Sequence, residues 1–121
     1  MAPVEYAWTS FPGNAMYFEA SSASSSHEKR FHPTQKPVSL YSWVYSLFAR
    51  PGDAILDTHL GSGSSRMAAY DAGLDFVGFE IDKVYFDLQE ARFEAHAAQV
   101  SILDTMAPAN YKQEALWDET D

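Results

Sequence analysis

No cysteine occurs in these 121 residues. That excludes disulfides and thiolate metal sites and suits a reducing compartment. Long apolar runs are missing too: no stretch approaches the roughly 18 residues of a spanning helix. The N-terminal Met-Ala-Pro-Val-Glu also lacks the basic start of a signal peptide. The expectation is a cytoplasmic chain with no membrane association. Positive charge is scarce, with 8 Lys and Arg against 17 Asp and Glu, for a net charge of −9. Affinity for duplex DNA comes largely from cations at phosphates, so weak or no DNA binding is expected of the chain alone. The charge is uneven, however. Lys29, Arg30 and Lys36 sit in a stretch without acids, whereas residues 99–121 carry five acids and one lysine. The four histidines, His27, His32, His59 and His96, have no metal-ligand spacing and no carboxylate cluster beside them, so no metal is expected.

What is present supports a folded domain. Hydrophobic residues make up 46% and aromatics 15% of the chain, enough for a core at the size of one domain. Val4-Glu-Tyr-Ala-Trp-Thr-Ser10 alternates apolar and polar and reads as a strand. Phe11-Pro-Gly-Asn14 reads as a turn, and the serine-rich run at 20–26 as a loop. Leu40, Tyr41, Val44, Leu47 and Phe48 recur at helical spacing over 38–49, with Pro37 suited to a first turn. Trp8, Trp43 and the aromatics of 41–48 read as core. Ala54-Ile-Leu-Asp57 predicts a short strand, 64–72 a helix closed by Gly73, 75–80 a second strand and 83–100 a helix. That last helix would pack through Tyr85, Leu88, Ala91 and Ala95. The alternation predicts an α/β fold of about three mostly parallel strands with flanking helices. The organisation expected is a strand and loop over 1–30, a core over 31–98 and an acidic, partly disordered tail over 99–121.

The segment from Asp57 to Ser64 carries the chemistry. A strand that ends in an acid and turns through Gly61 and Gly63 into a helix builds a nucleotide pocket. The glycines admit close backbone approach, and the helix N-terminus presents free N–H groups. Glu80 ends the next strand 23 residues after Asp57, where a carboxylate can take two ribose hydroxyls. A dinucleotide site would want a third glycine at position 66, which is Arg66. An adenosine ligand without pyrophosphate therefore fits better. A glycine turn that only packs helix on strand is the other reading.

His32-Pro-Thr-Gln-Lys-Pro37, the turn Asp57…Gly61-Ser-Gly-Ser64 and Gly78-Phe-Glu-Ile-Asp82 together resemble the amino-methylating DNA methyltransferases, adenine- or cytosine-specific. The likeness is to the permuted class, in which the cofactor motifs follow the catalytic one, and it spans about residues 31–94. It implies a truncated Rossmann-like methyltransferase domain and S-adenosylmethionine as cofactor. Thr34 and Lys36 would lie by its methionine moiety, Asp57, Gly61 and Gly63 at its amino-acid end, and Glu80 at the ribose, with Ser64 also among the cofactor-binding residues. The family's Asp-Pro-Phe is here Asp57-Thr-His59, and His59 is either a ligand contact or packed in the turn. His32 would order its loop.

The family holds its flipped base with a Pro-Pro-aromatic tetrapeptide, and these residues contain no Pro-Pro pair. Ala107-Pro-Ala-Asn-Tyr111 is a poor imitation, so no catalytic residue is assigned. Three alternatives stand. The chain is part of a methyltransferase completed by a catalytic subunit. It is a degenerate, acidic descendant that acts on a partner protein, such as a phage-type DNA mimic that inhibits a nucleic-acid-handling protein. Or it is a small methyltransferase in its own right. A three-stranded sheet would leave an exposed edge, where a homodimer or a partner is expected. Trp117, among acids, is a candidate anchor for such a partner.

Overall fold

A computed structural model describes residues 4–20 and 30–106. Five elements follow in the order α1 (Val38–Phe48), β1 (Ala54–Asp57), α2 (Ser64–Asp71), β2 (Asp75–Gly78) and α3 (Lys83–Met106). The strands pair in parallel, Ala54 with Asp75 through Asp57 with Gly78. This is the expected α/β alternation, with α2 as the crossover.

Local chemistry sets each boundary. Pro37 caps α1 with φ −66° and ψ 144°, the extended backbone that feeds a helix. The Arg50-Pro-Gly-Asp53 turn closes it, with the Arg50 N–H donating to Asp53 Oδ2 at 2.8 Å. At the end of α2, Gly73 takes φ +69° and its N–H donates to the Tyr70 carbonyl, the left-handed close favoured by glycine. Asp82 starts α3 by accepting the N–H groups of Val84 and Tyr85 at 2.9 and 3.2 Å.

Four expectations are corrected. Among the described residues the sheet has two strands, because residues 4–10 form none. Alternation makes a strand only beside an edge to pair with; residues 4–10 are exposed, and it is the chain after them that lies along α1. Phe11 stacks on Phe48 with ring centroids 4.8 Å apart, and Phe18 meets Trp43 at 5.3 Å. Trp8 is accordingly not core; it is 88% exposed. Finally, α3 does not pack through Leu88, Ala91 and Ala95, all exposed. Its inward residues are Tyr85, Gln89, Arg92, Phe93 and His96. They meet the His32 ring, the glycine turn and both ends of α2, a surface with polar groups at Ser62, Ser64, Arg66 and Asp71 that an apolar stripe could not satisfy. This helix also runs to Met106, past the expected end at 100.

The buried core is small and centred on α2: Leu60, Met67, Ala68 and Ala69, with Gln35, Ser62, Ser64, Ser65 and Gln89 buried among them. No helix among the described residues is long and apolar enough to cross a membrane. The serine-rich run, the 107–111 segment and Trp117 lie largely or wholly outside the described residues.

Candidate cofactor site

The glycine turn stands at the C-terminal ends of both strands. Leu60 donates its N–H to the Phe79 carbonyl at 2.9 Å, tying the turn to the end of β2. Gly61 and Gly63 take φ +57° and +80°, values that L residues with a Cβ rarely adopt. No side chain caps the N-terminus of α2, so its first-turn N–H groups have no side-chain acceptor.

A cavity of about 530 Å³ opens beside this turn, walled by His32, Thr34, Lys36, Tyr41, residues 58–62, Ser64, Glu80 and Ile81. Its size is in the usual range for small-molecule sites, about 300–1,000 Å³. Five residues singled out from the sequence meet here: Thr34, Lys36, Gly61, Ser64 and Glu80. Asp57 and Gly63 are not part of the wall. Both Asp57 carboxylate oxygens are used within the turn, Oδ1 accepting the His59 N–H at 3.0 Å and Oδ2 the Ser65 hydroxyl. Gly63 lies against α3, its missing Cβ leaving room for Gln89.

The hexapeptide is fastened to the turn at two points. The His32 ring packs on Tyr85 with centroids 4.4 Å apart and lies 3.5 Å from where a Gly61 Cβ would sit. Its Nδ1 is 3.2 Å from both the Thr34 N–H and the Thr34 hydroxyl. His32 therefore orders its loop. Ser64, 2% exposed, donates its hydroxyl to the Lys36 carbonyl at 2.6 Å and accepts from Arg92 Nη1 at 2.9 Å. It is a latch between α2 and the hexapeptide as much as a wall residue. His59 faces the cavity, with Nδ1 2.9 Å from the Thr58 hydroxyl.

Sequence reasoning passed over several residues that build the site. Arg66, noted only as a missing glycine, reaches Gln89 Oε1 at 3.1 Å and Glu90 at 2.6 Å and lies 3.7 Å over the Phe93 ring. It thereby joins α2 to α3. The hydrogen bonds from Gln89 and Arg66 hold the Glu90 carboxyl below its ordinary value. Tyr41 and Tyr45, read as helix core, approach Asp57 from α1. Burial, then the Asp57 charge, raises the Tyr41 hydroxyl; the same causes push Tyr45, whose hydroxyl donates to the Ser65 carbonyl at 3.2 Å, up to about 12. Both hydroxyls stay protonated at neutral pH and act as donors or neutral acceptors, never as anions. The sequence signal for them was proximity in the fold, which spacing alone does not supply.

Glu80 differs from its neighbours. Its half-buried carboxylate makes no hydrogen bond or ion pair with any described residue, although it stands in the cavity wall. Polar groups taken from water normally find partners, and a two-oxygen acceptor at a strand end is the build of a nucleoside-binding α/β domain.

The sequence matches the DNA methylase family over residues 7–91, and the chain belongs to that family, the amino-methylating DNA methyltransferases. It is 38% identical over 64 residues to the Type II methyltransferase M2.DpnII of Streptococcus pneumoniae, an overlap of 53% of this chain and 24% of that protein. With the Type II methyltransferase M.HinfI of Haemophilus influenzae it shares 36% over 64 residues, 53% of this chain and 18% of that protein. The crystal structure of an M1.HpyAVI–SAM complex superposes with a TM-score of 0.51 at 36% identity, covering 53% of this chain and 32% of that one. The chain thus spans less than a third of the length of each of these relatives.

Proposed function

We propose that this chain is the S-adenosylmethionine-binding part of a DNA amino-methyltransferase. The observation that carries the reading is the Glu80 carboxylate, without a partner among the described residues, in the wall of a cavity that Gly61 and Ser62 of the glycine turn also line. Bound there, the cofactor would supply the methyl group on its sulfonium. The residues present fit such a molecule. Glu80 offers two acceptors to a vicinal diol, Lys36 a cation to a carboxylate, and the glycine turn a backbone face free of Cβ atoms. Thr34 and His59 line the remaining wall. Asp57 positions the turn by holding the His59 N–H and the Ser65 hydroxyl. The test is a titration of the chain with S-adenosylhomocysteine, read at backbone amide resonances.

The acceptor side of the reaction calls for residues beyond these. A flipped base needs a stacked, hydrogen-bonded pocket, and no Pro-Pro-aromatic tetrapeptide is present in the 121 residues. We assign that role to further polypeptide that covers the open side of the sheet, and the chain by itself to cofactor binding without turnover. Support comes from Leu56 and Val77. They are partners in register on one face of a parallel sheet, yet 64% and 53% exposed, with Phe79 and Ile81 exposed beyond them. Parallel sheets are ordinarily covered on both faces. A net charge of −9 opposes a second copy of the chain there and favours a cover with a basic rim. Sedimentation at micromolar concentration is expected to give a monomer of 13.5 kDa. A stable homodimer broken by Leu56→Glu would contradict this and assign the face to a second copy.

A further inference from the structure

Lys36 is the one Lys or Arg among the cavity-lining residues, and its ammonium is already engaged. Nζ lies 2.9 Å from Glu5 Oε1 and 2.7 Å from Oε2, across 31 positions of sequence. The segment that brings Glu5 there has an unusual attachment. Val4, Tyr6 and Trp8 are all largely exposed, so nothing apolar holds the arm near Glu5. Its first anchor is Phe11 on Phe48, followed by Phe18 on Trp43. Residues 4–10 are therefore an arm fixed at one end by stacked rings and at the other by a single ion pair. The Glu5 charge also reaches Tyr41, a second wall residue, where it adds to burial and Asp57 in raising the hydroxyl.

We propose that Glu5 is a built-in surrogate for the ligand's carboxylate: it occupies Lys36 until the amino-acid end of a nucleoside amino acid displaces it. The inference rests on the cofactor-site reading above and adds to it a residue that sets affinity and selectivity. Exposed ion pairs are weak because water screens them and both side chains lose freedom. The Glu5–Lys36 pair is of that kind, with both partners in part exposed, so a better-placed carboxylate can replace it. The surrogate lowers affinity for every ligand that needs Lys36 and leaves alone those that do not. It also keeps the ammonium from attracting other anions into the cavity.

The experiment compares S-adenosylhomocysteine with 5′-deoxy-5′-methylthioadenosine, the same nucleoside thioether without the amino-acid end. Both are titrated calorimetrically into the full chain, as wild type, Glu5→Gln, Lys36→Met and the double variant. Glu5→Gln is expected to tighten S-adenosylhomocysteine by about three- to fivefold, the factor an exposed ion pair can withhold. It should leave methylthioadenosine unchanged. Lys36→Met should weaken the amino-acid ligand and make Glu5→Gln silent in the double variant. If S-adenosylhomocysteine binds but Glu5→Gln shifts both ligands alike, or neither, the surrogate role is overturned while the cofactor site stands. If neither ligand binds any of the four chains, the cofactor site fails and the surrogate with it.

Discussion

Gly63→Ala is expected to lower folding stability by about 2–4 kcal/mol, the sum of a left-handed backbone cost and disturbed buried hydrogen bonds. The position takes φ +80°, and an added Cβ would lie 3.1 Å from Gln89 Cβ and 3.2 Å from its Oε1. Gln89 is 0% exposed and cannot swing into solvent. Its Nε2 donates to the Phe86 carbonyl at 3.0 Å and its Oε1 accepts from Arg66 at 3.1 Å. Moving it therefore loosens the contact between α2 and α3 that also carries Arg92 to the Ser62 carbonyl. Gly61→Ala is the control. Its φ is +57°, and the added methyl would meet the His32 ring at an ordinary 3.5 Å. The strain there is of the backbone alone, at about 1 kcal/mol. Urea unfolding of the two variants measures the difference; equal losses would show that Gln89 yields without resistance.

Glu80→Ala is expected to have the opposite profile. A hydrogen bond to a charged group contributes about 1.5–3 kcal/mol, so loss of the diol contact should weaken S-adenosylhomocysteine at least about 10- to 100-fold. Stability should hardly move, within about 0.5 kcal/mol, as for a surface change that breaks no contact, because the carboxylate has no partner among the described residues. Glu80→Gln retains one acceptor and should fall between. Calorimetric affinities, paired with unfolding midpoints, separate the two effects. A variant that unfolds readily but binds normally would make Glu80 a structural residue and remove the main support for the site.

These two positions also show what a sequence can carry. Glu80 was placed correctly by arithmetic: a strand, a helix and a strand of ordinary length bring a second acid beside the glycine turn. Gly61, Gly63 and Gly73 were legible because glycine punctuates where positive φ is required, and each takes it. The parallel pairing followed from alternation. The first strand failed for a reason that alternation cannot reveal, since a strand exists only with a partner edge. Within residues 4–10, Glu5 pairs with Lys36 instead, and the aromatic contact with α1 begins only at Phe11.

The inner face of α3 failed differently. Leu88, Ala91 and Ala95 have the right period but are exposed, and the face that turns inward meets polar groups of Ser62, Ser64, Arg66 and Asp71 beside the rings of His32 and Tyr70. Arg92 satisfies the Ser62 carbonyl and the Ser64 hydroxyl and Gln89 accepts from Arg66, which apolar side chains cannot do. Asp57 was read as a ligand contact from its place at a strand end. Both its oxygens accept within the chain, from the His59 N–H and the Ser65 hydroxyl, a local pairing that spacing does not encode. For α3 the reading went astray where polar groups paired with one another.

The central claim is that the cavity at the Gly61–Gly63 turn receives S-adenosylmethionine. It is tested most directly by backbone amide resonances of the wild-type chain during titration with S-adenosylhomocysteine. The account predicts saturable shifts at residues 32–36, 58–64 and 80–81, with the open sheet face at Leu56 and Val77 undisturbed. Absence of shifts in the folded chain at millimolar ligand, or shifts that map elsewhere, would contradict it.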